Sequence, residues 1–206
     1  MADETSLTIV PANESSWEDL RAIFGDRGYA AYCQCQKFKM RNWAEWNSTP
    51  VSGRMRRLEE QTHCGYPTAR TTSGLVAYLD GEPVGWCAVE PRAAYIRLPP
   101  RRVAWEARGE DRADESVWAV TCFATRAGFR RRGITRALAR ATVDFARQRG
   151  ARALEAYPML TEPGQEITWG ETHVGTRNIF ADAGFLEVSH PTLRRVVMRI
   201  DFESPT

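Results

Sequence analysis

The stretch whose residue types best suit chemistry is 117–150. A continuous apolar run at 117–124 is typical of a strand buried on both faces. An arginine-rich loop follows, and then apolar residues at helical spacing that end at Gly150. The first turn of a helix leaves backbone N–H groups unpaired, and the helix dipole adds positive charge there. Because three arginines, 130–132, stand just before this turn, the pattern predicts a phosphate-binding site, with a solvated basic turn as the alternative.

The glycine spacing in this loop argues against two common nucleotide sites. Gly128 and Gly133 have the separation found in a triphosphate-binding P-loop, and Thr135 fits its last position. However, Ile134 stands where the lysine of a P-loop must reach the phosphates. The glycine fingerprint of dinucleotide-binding turns is absent as well. The predicted ligand is therefore a different polyanion.

The elements that must position this loop follow from periodicity and from turn residues. The predicted helices cover residues 16–24, after a capping-box-like start at 15–18, and residues 52–61, 134–149 and 176–183, while 29–46 is an aromatic-rich segment. The predicted strands cover residues 75–79, 84–89, 117–124, 153–157, 185–188 and 196–200. The first two strands form a hairpin around Asp80 and Gly81, and the last two form another. This order predicts one mixed α/β domain.

Composition excludes several classes of protein. The chain has 206 residues, 43% of them hydrophobic, and 28 Lys+Arg against 26 Asp+Glu give a net charge of +2. This balance predicts neither a nucleic-acid nor a membrane-surface partner, and no apolar run is long enough for a membrane span. The N-terminus lacks the pattern of a signal peptide, so we expect a cytoplasmic location.

The five cysteines do not form the pattern of a disulfide framework, because their number is odd. Cys33, Cys35, His63 and Cys64 could be considered as zinc ligands. Only one residue separates the first two, whereas structural zinc sites usually have two or more between paired cysteines. We therefore expect half-buried thiols and no metal site.

The loop Arg130-Arg131-Arg132-Gly133-Ile134-Thr135 resembles the signature Gln/Arg-x-x-Gly-x-Gly/Ala of the GCN5-related N-acetyltransferases, with Thr135 as a departure. Two further blocks agree in order: Gly85-Trp86 in the hairpin, and residues 180–186, which run from a helix into Gly-Phe. The resemblance covers about 75–202. It implies a single α/β domain over 1–206, with a mixed, mostly antiparallel central sheet, splayed strands four and five and flanking helices. Residues 71–202 would form the acetyl-CoA-binding core, and 1–70 a variable helical segment on the acceptor side.

The resemblance further implies acetyl-CoA as co-substrate and an amine as acceptor, with no metal. The loop would bind the pyrophosphate, and main-chain groups of Phe123 and Thr125 would pair with the pantetheine arm. The cofactor-binding residues expected on this basis are Phe123, Ala124, Thr125, Arg130, Arg131, Arg132, Gly133, Ile134, Thr135, Asn178 and Phe180.

Proton transfer is the least defined part of this expectation. Many family members place a tyrosine acid where this chain has Phe180. A thiol with a pKa of roughly 8.5 can leave without an acid at modest cost. Glu115, Glu155 and Tyr157 are the expected catalytic residues, because Glu115 precedes strand four and the other two share one face of strand five. Solvent-facing strand ends are the alternative for each.

Three other functions stay open at this point. One is a catalytically silent acyl-CoA sensor or scaffold with the same fold, and another is acetylation of a protein N-terminus or side chain instead of a small-molecule amine. The third is nucleic-acid binding through the arginine cluster, which the net charge of +2 disfavours. The resemblance also leaves a homodimer open.

Overall fold

The computed structural model describes residues 6–98, 105, 108–161 and 172–202. Its centre is one seven-stranded sheet in the order β1-β2-β3-β4-β5-β7-β6. The strands are β1 (Leu7–Pro11), β2 (Gly74–Leu79), β3 (Glu82–Pro91), β4 (Val117–Thr125), β5 (Ala153–Ala156), β6 (Leu186–Thr192) and β7 (Arg195–Asp201). All neighbours are antiparallel except β4 and β5, which are parallel. The expectation of a mixed, mostly antiparallel sheet is confirmed.

The helices flank this sheet. They are α1 (Trp17–Phe24), α2 (Gly28–Cys33), α3 (Trp43–Ser48), α4 (Val51–Thr62), α5 (Ile134–Gln148) and α6 (Arg177–Ala181). Helix α1 begins with a capping box, in which the side chains of Ser16 and Asp19 each accept a hydrogen bond from the other's backbone N–H. Within the described residues, no helix is long and apolar enough to cross a membrane.

Strand β1 is the element that the sequence analysis missed. It pairs with β2 along its whole length, from Leu7 opposite Leu79 to Pro11 opposite Leu75. A five-residue apolar run carries little signal by itself, and its partner lies more than 60 residues later in the chain. The helical segment expected at 1–70 thus contains, within its described part, four α-helices and also a strand of the sheet. A division at residue 70 would cut through the sheet.

The alternation of side chains along the strands separates two cores. Leu75, Cys87 and Phe123 face α5, whereas their neighbours Val76, Trp86 and Cys122 face α1 and α4. Burial of these faces supplies the main favourable term for folding. Because α5 packs on one face of β4 and α1 on the other, the two cores hold β4 in place from both sides.

Gly85 allows α5 to approach β3 closely. A Cβ atom at this position would lie 2.5 Å from Cγ2 of Ile134 and 3.1 Å from Cδ1 of Leu138. We expect Gly85→Ala to lower the free energy of unfolding by about 1–3 kcal/mol, because the N-terminal turn of α5 must shift. Urea unfolding measures the change. Gly109→Ala is the control, since no described atom lies within 4 Å of its Cβ; equal effects of the two substitutions would contradict the packing argument.

Candidate active site

The parallel strands β4 and β5 stay together over only part of their length. Four register pairs join them, from Val117 with Ala153 to Val120 with Ala156. Beyond this point β4 continues to Thr125, while the chain that follows β5 diverges from it. A register shift between β3 and β4 leaves Thr121 as an extra residue on β4 at the start of this divergence. The predicted splay of these strands is therefore present.

Residues 172–177 bridge the gap between the two strands. The backbone N–H of Phe123 donates to the carbonyl of His173 at 2.6 Å. On the other side, the N–H of Met159 donates to the carbonyl of Gly175 at 3.1 Å. Gly175 has φ +82°, and a Cβ there would lie 2.8 Å from the ring of Phe180. The bridge thus needs glycine at this position, and it forms the inner wall of the gap.

Two adjoining cavities open at the C-terminal end of β4. Their volumes are about 230 and 220 Å³, and four residues line both of them: Thr125, Arg131, Thr135 and Ile179. The first extends over the N-terminus of α5, and the second runs inward to Phe123 and His173. We call the two together the donor groove.

The loop before α5 has the features of an anion site. Gly128, Arg131 and Gly133 adopt positive φ values of +89°, +63° and +78°, the left-handed conformation that contributes to anion-binding turns. Gly133 is the N-cap of α5, and no side-chain hydrogen bond caps this helix. Exposed arginines flank its open N–H groups. These groups fit the diphosphate of a ligand such as acetyl-CoA, as the sequence pattern predicts.

Most of the expected cofactor-binding residues line the donor groove. These are Phe123, Thr125, Arg130, Arg131, Gly133, Ile134 and Thr135. The side chain of Phe123 faces the groove, but its N–H is bonded to His173 and is not open to a pantetheine amide. Arg132 lies outside the lining, with its guanidinium 5.4 Å from the ring centre of Phe129.

Three more of the expected cofactor-binding residues do not line the donor groove. Ala124 is buried in the core on the α1 face, and its register partner is Trp86 of β3. Asn178 is exposed, and the neighbouring Ile179 lines the groove in its place. Phe180 is a core residue, fully buried, with its ring 5.8 Å from Phe123 and 5.1 Å from Phe185. Each of these side chains points away from the groove.

Glu155 lies in a buried cage of guanidinium groups. Its carboxylate accepts hydrogen bonds from Arg108 and from Arg199, the latter at 2.7 Å, and lies 3.2 Å from Nη1 of Arg92. Glu155 and Arg92 are both fully buried. Burial by itself would raise the pKa of Glu155, but the hydrogen bond and charge of Arg108 and the charge of Arg92 outweigh it and lower this pKa.

The other two expected catalytic residues are Tyr157, which contacts Glu155, and Glu115. The hydroxyl of Tyr157 donates to Glu155 at 2.9 Å, so these two do share a face as predicted. Burial raises the pKa of Tyr157 well above its usual range. Glu115 is exposed in the turn before β4, at the opposite end of this strand from Thr125. None of the three expected catalytic residues lines a described cavity, so the geometry does not support their assigned roles.

A second pair of cavities lies on the α1 side of the sheet. One of about 490 Å³ and one of about 880 Å³ share the turn between α1 and α2, including Phe24, Gly25, Asp26 and Gly28. We call these two the acceptor-side cavities. The smaller one reaches Thr125 and Arg130, which also line the donor groove. The two sets of cavities therefore meet at the end of β4.

The cysteines do not assemble into a metal site within the described ranges. Cys33 and Cys35 lie near Cys122 of β4, and burial raises the pKa of Cys33 to about 11. Cys64 instead contacts the hydroxyls of Thr62 and Ser15. No group of three or more His, Cys, Asp or Glu side chains among the described residues could hold a metal ion.

Sequence reasoning missed several residues of the site. His173, Gly175 and Ile179 line the donor groove, and Asp26 lines the acceptor-side cavities. The glycine pair at 25 and 28, with a carboxylate between, is a turn signal that could have marked the α1–α2 turn. His173 has no comparable signal in its neighbourhood.

The comparison with known families agrees with this geometry. The model of the acetyltransferase (GNAT) family matches residues 17–164, which is more than half of the chain. The chain belongs to the GNAT acetyltransferase family. Curated proteins gave no significant match to the sequence.

Solved structures show the same fold at low sequence identity. A GCN5-related N-acetyltransferase from Kribbella flavida aligns with TM-score 0.51 and 16% identity, over 95% of this chain and 98% of that one. The structure of yncA from Salmonella typhimurium with its cofactor acetyl-CoA aligns with TM-score 0.50 and 14% identity, over 97% and 95%. A GNAT-family acetyltransferase from Streptococcus pneumoniae gives TM-score 0.50 and 11% identity, over 96% and 100%.

Proposed function

We propose that this protein is an N-acetyltransferase that moves an acetyl group from acetyl-CoA to an amine of a small molecule. The observation that carries the proposal is the meeting of the donor groove and the acceptor-side cavities at Thr125 and Arg130. A donor bound along the groove would present its thioester near the place where an acceptor enters from the α1 side. Direct transfer in a ternary complex needs this arrangement.

The donor end of the proposal depends on the start of α5. The open N–H groups beyond Gly133 and the guanidiniums of Arg130 and Arg131 would bind the diphosphate of acetyl-CoA. The presence of acetyl-CoA in the structurally similar yncA supports the choice of this donor. The protein's contribution is to hold the thioester next to the acceptor and to keep water away from it.

The larger acceptor-side cavity, where the acceptor would bind, is lined by both charged and apolar residues. The larger cavity holds the carboxylate residues Glu18 and Asp26 as well as Arg21, beside apolar Met55 and Val51. Its volume of about 880 Å³ lies within the range of small-molecule sites. Carboxylates at the rim favour an ammonium-bearing acceptor, which must lose a proton before it attacks.

A silent acyl-CoA-binding sensor is the second candidate. The observation in its favour is that Glu155 and Tyr157 are locked in the buried cage and that Phe180 is a core residue. Such a protein would bind the donor and release no thiol.

Calorimetry with acetyl-CoA, followed by a thiol-release assay over a library of amines, tests both candidates. Binding together with turnover of at least one small amine is the result that we expect. Binding without turnover on any amine would favour the sensor. No binding of acetyl-CoA at all would contradict both proposals.

Substitution of one loop arginine, Arg131, tests the donor site. We expect Arg131→Ala to weaken acetyl-CoA binding by about tenfold, because a charge-assisted hydrogen bond is lost at a partly screened site. Arg147→Ala is the matched control at the far end of α5, where the side chain is 57% exposed and pairs with Asp144. An equal effect of the two substitutions on the dissociation constant would show that the diphosphate lies elsewhere.

A further inference from the structure

The imidazole of His173 lies where the two sets of cavities come together. His173 lines the inner part of the donor groove beside Phe123 and Thr125. On its other side, its ring centre is 5.7 Å from that of Tyr29, which lines the smaller acceptor-side cavity. The residue is 5% exposed, so its environment is largely free of bulk water.

The backbone fixes this position independently of the side chain. The carbonyl of His173 accepts the hydrogen bond from Phe123 of β4, and two residues later Gly175 is bonded to Met159 beyond β5. The ring of Phe38 lies 6.4 Å from the imidazole. Because its backbone is bonded to β4 and its ring lies near those of Tyr29 and Phe38, His173 has little freedom to move away from this position.

From this placement we infer that His173 is the proton-transfer residue of the acetyl transfer. The inference rests on the proposed function, since it needs acetyl-CoA in the donor groove. His173 would take the proton-transfer role for which Glu155 and Tyr157, buried beside the arginines, are not accessible. An imidazole is suited to both halves of the task, because it accepts and donates protons near neutral pH.

In the transfer step His173 acts twice, first as the base and then as the acid. The neutral acceptor nitrogen attacks the thioester carbonyl carbon, and the C–N bond forms. His173 takes the proton that this nitrogen must lose. The C–S bond then breaks, its electron pair leaves with sulfur, and the imidazolium returns the proton to give the free thiol. The products are the N-acetyl amine and CoA, and no other reactant is required.

Among the described residues, charged and titratable groups near the imidazole or its neighbour Tyr29 lie on α2, on the segment after α2, on β4 and on the loop before α5. The hydroxyl of Tyr29 on α2 is hydrogen-bonded to the thiol of Cys33, and Nζ of Lys37 lies 5.6 Å from the Tyr29 ring centre. Cys122 of β4 also lies near Tyr29. The loop before α5 contributes Arg130 and Arg131, which line the same cavity as His173.

Imidazole NMR of the wild-type protein tests the position first. The chain has three histidines, so the ring signals of His173 are assigned by comparison with His173→Gln. We expect acetyl-CoA to shift the His173 ring signals and to leave those of His190 unchanged, because His190 is 49% exposed on β6 and pairs with Glu187. This readout needs no acceptor and does not depend on the folding of any variant under assay conditions.

Kinetics of His173→Gln test the role. We expect acetyl-CoA binding by calorimetry to stay within about threefold of wild type, while kcat for thiol release falls on the order of 10²-fold and the acidic limb of the pH profile of kcat/KM disappears. The assay uses the best amine of the screen, or the slow hydrolysis of acetyl-CoA where no amine reacts. His190→Gln is the control and should keep the wild-type rate and profile.

The outcomes separate this inference from the proposed function. If wild-type protein binds acetyl-CoA but the His173 ring signals do not move, the inference is overturned and the donor assignment stands. The same holds if His173→Gln keeps the wild-type kcat and pH profile. If wild-type protein does not bind acetyl-CoA, the proposed function fails first and the inference fails with it.

Discussion

Glu155→Gln is expected to lower the free energy of unfolding by about 3–5 kcal/mol, because it removes the one fully buried counter-charge of three buried guanidinium groups and leaves them only partly exposed carboxylates. Arg92 is fully buried, and Arg108 and Arg199 are nearly so. An amide oxygen can accept a hydrogen bond from one of them but cannot neutralise any. Chemical denaturation at pH 7 measures the change.

Glu110→Gln is the matched control for this substitution. Glu110 pairs with the same three arginines, but its side chain is 32% exposed, so water can compensate for the lost charge. We expect an effect of about 1 kcal/mol or less. If the two substitutions cost the same, or if Glu155→Gln reduces turnover with unchanged stability, the structural role assigned to Glu155 is wrong.

The same cage gives the pH dependence of stability a defined sign. The pKa of Glu155 is lower in the folded protein than the value of about 4.3 for an unperturbed glutamate, so the unfolded state binds this proton first on acidification. The stabilisation is therefore present above about pH 4 and is lost as the pH falls through the folded pKa. Glu155→Gln should flatten this part of the stability curve, which unfolding at several pH values would reveal.

Gly133→Ala is expected to weaken acetyl-CoA binding tenfold or more, which corresponds to at least 1.4 kcal/mol. Gly133 adopts φ +78° at the N-cap of α5, and the space around its missing Cβ is open. A methyl group there would stand beside the N–H groups proposed to bind the diphosphate. The backbone strain of a left-handed alanine would also disturb the first turn.

Gly150→Ala is the control that separates the effect of backbone strain from the effect of a methyl group at the proposed diphosphate site. Gly150 follows the other end of α5 with the same φ of +78°, and no described atom lies within 4 Å of its Cβ. Both substitutions should therefore cost about 1 kcal/mol of stability. Only Gly133→Ala should change the dissociation constant of acetyl-CoA in calorimetry. Equal dissociation constants for the two variants would place the diphosphate away from the start of α5.

The parts of the fold that the sequence predicted are those with strong local signals. Ser15 and Ser16 mark the start of α1, and the turn at Asp80 and Gly81 marks the hairpin of β2 and β3. The loop 130–133 carries its own arginines and glycine, so the anion site proposed there follows from a few consecutive residues. Strand β1 has no such signal, because its formation depends on pairing with β2 far along the chain.

The proton-transfer residues could not be predicted, because their environments are assembled from distant parts of the chain. Glu155 has the right residue type and lies on the expected strand. Its arginine partners come from positions 92, 108 and 199, and no local pattern reveals that they converge on it. His173 differs from Glu155, because no residue pattern around it in the sequence indicates a function. The reason to consider it is structural: its backbone carbonyl accepts a hydrogen bond from Phe123 of β4.

The short seam between β4 and β5 has a consequence for cooperativity. Four register pairs join β4 to β5 and four join β5 to β7, whereas seven join β3 to β4, so a more extensively paired half of the sheet meets a less extensively paired half at the donor groove. Local opening should begin in the less extensively paired half, at a lower free energy than between β3 and β4. A donor that contacts both halves would add its binding free energy to the stability of the folded chain, about 2.7 kcal/mol at a hundredfold excess over the dissociation constant. Acetyl-CoA would then be a stabilising ligand as well as a substrate, and the equilibrium between folded and unfolded chain would depend on its concentration.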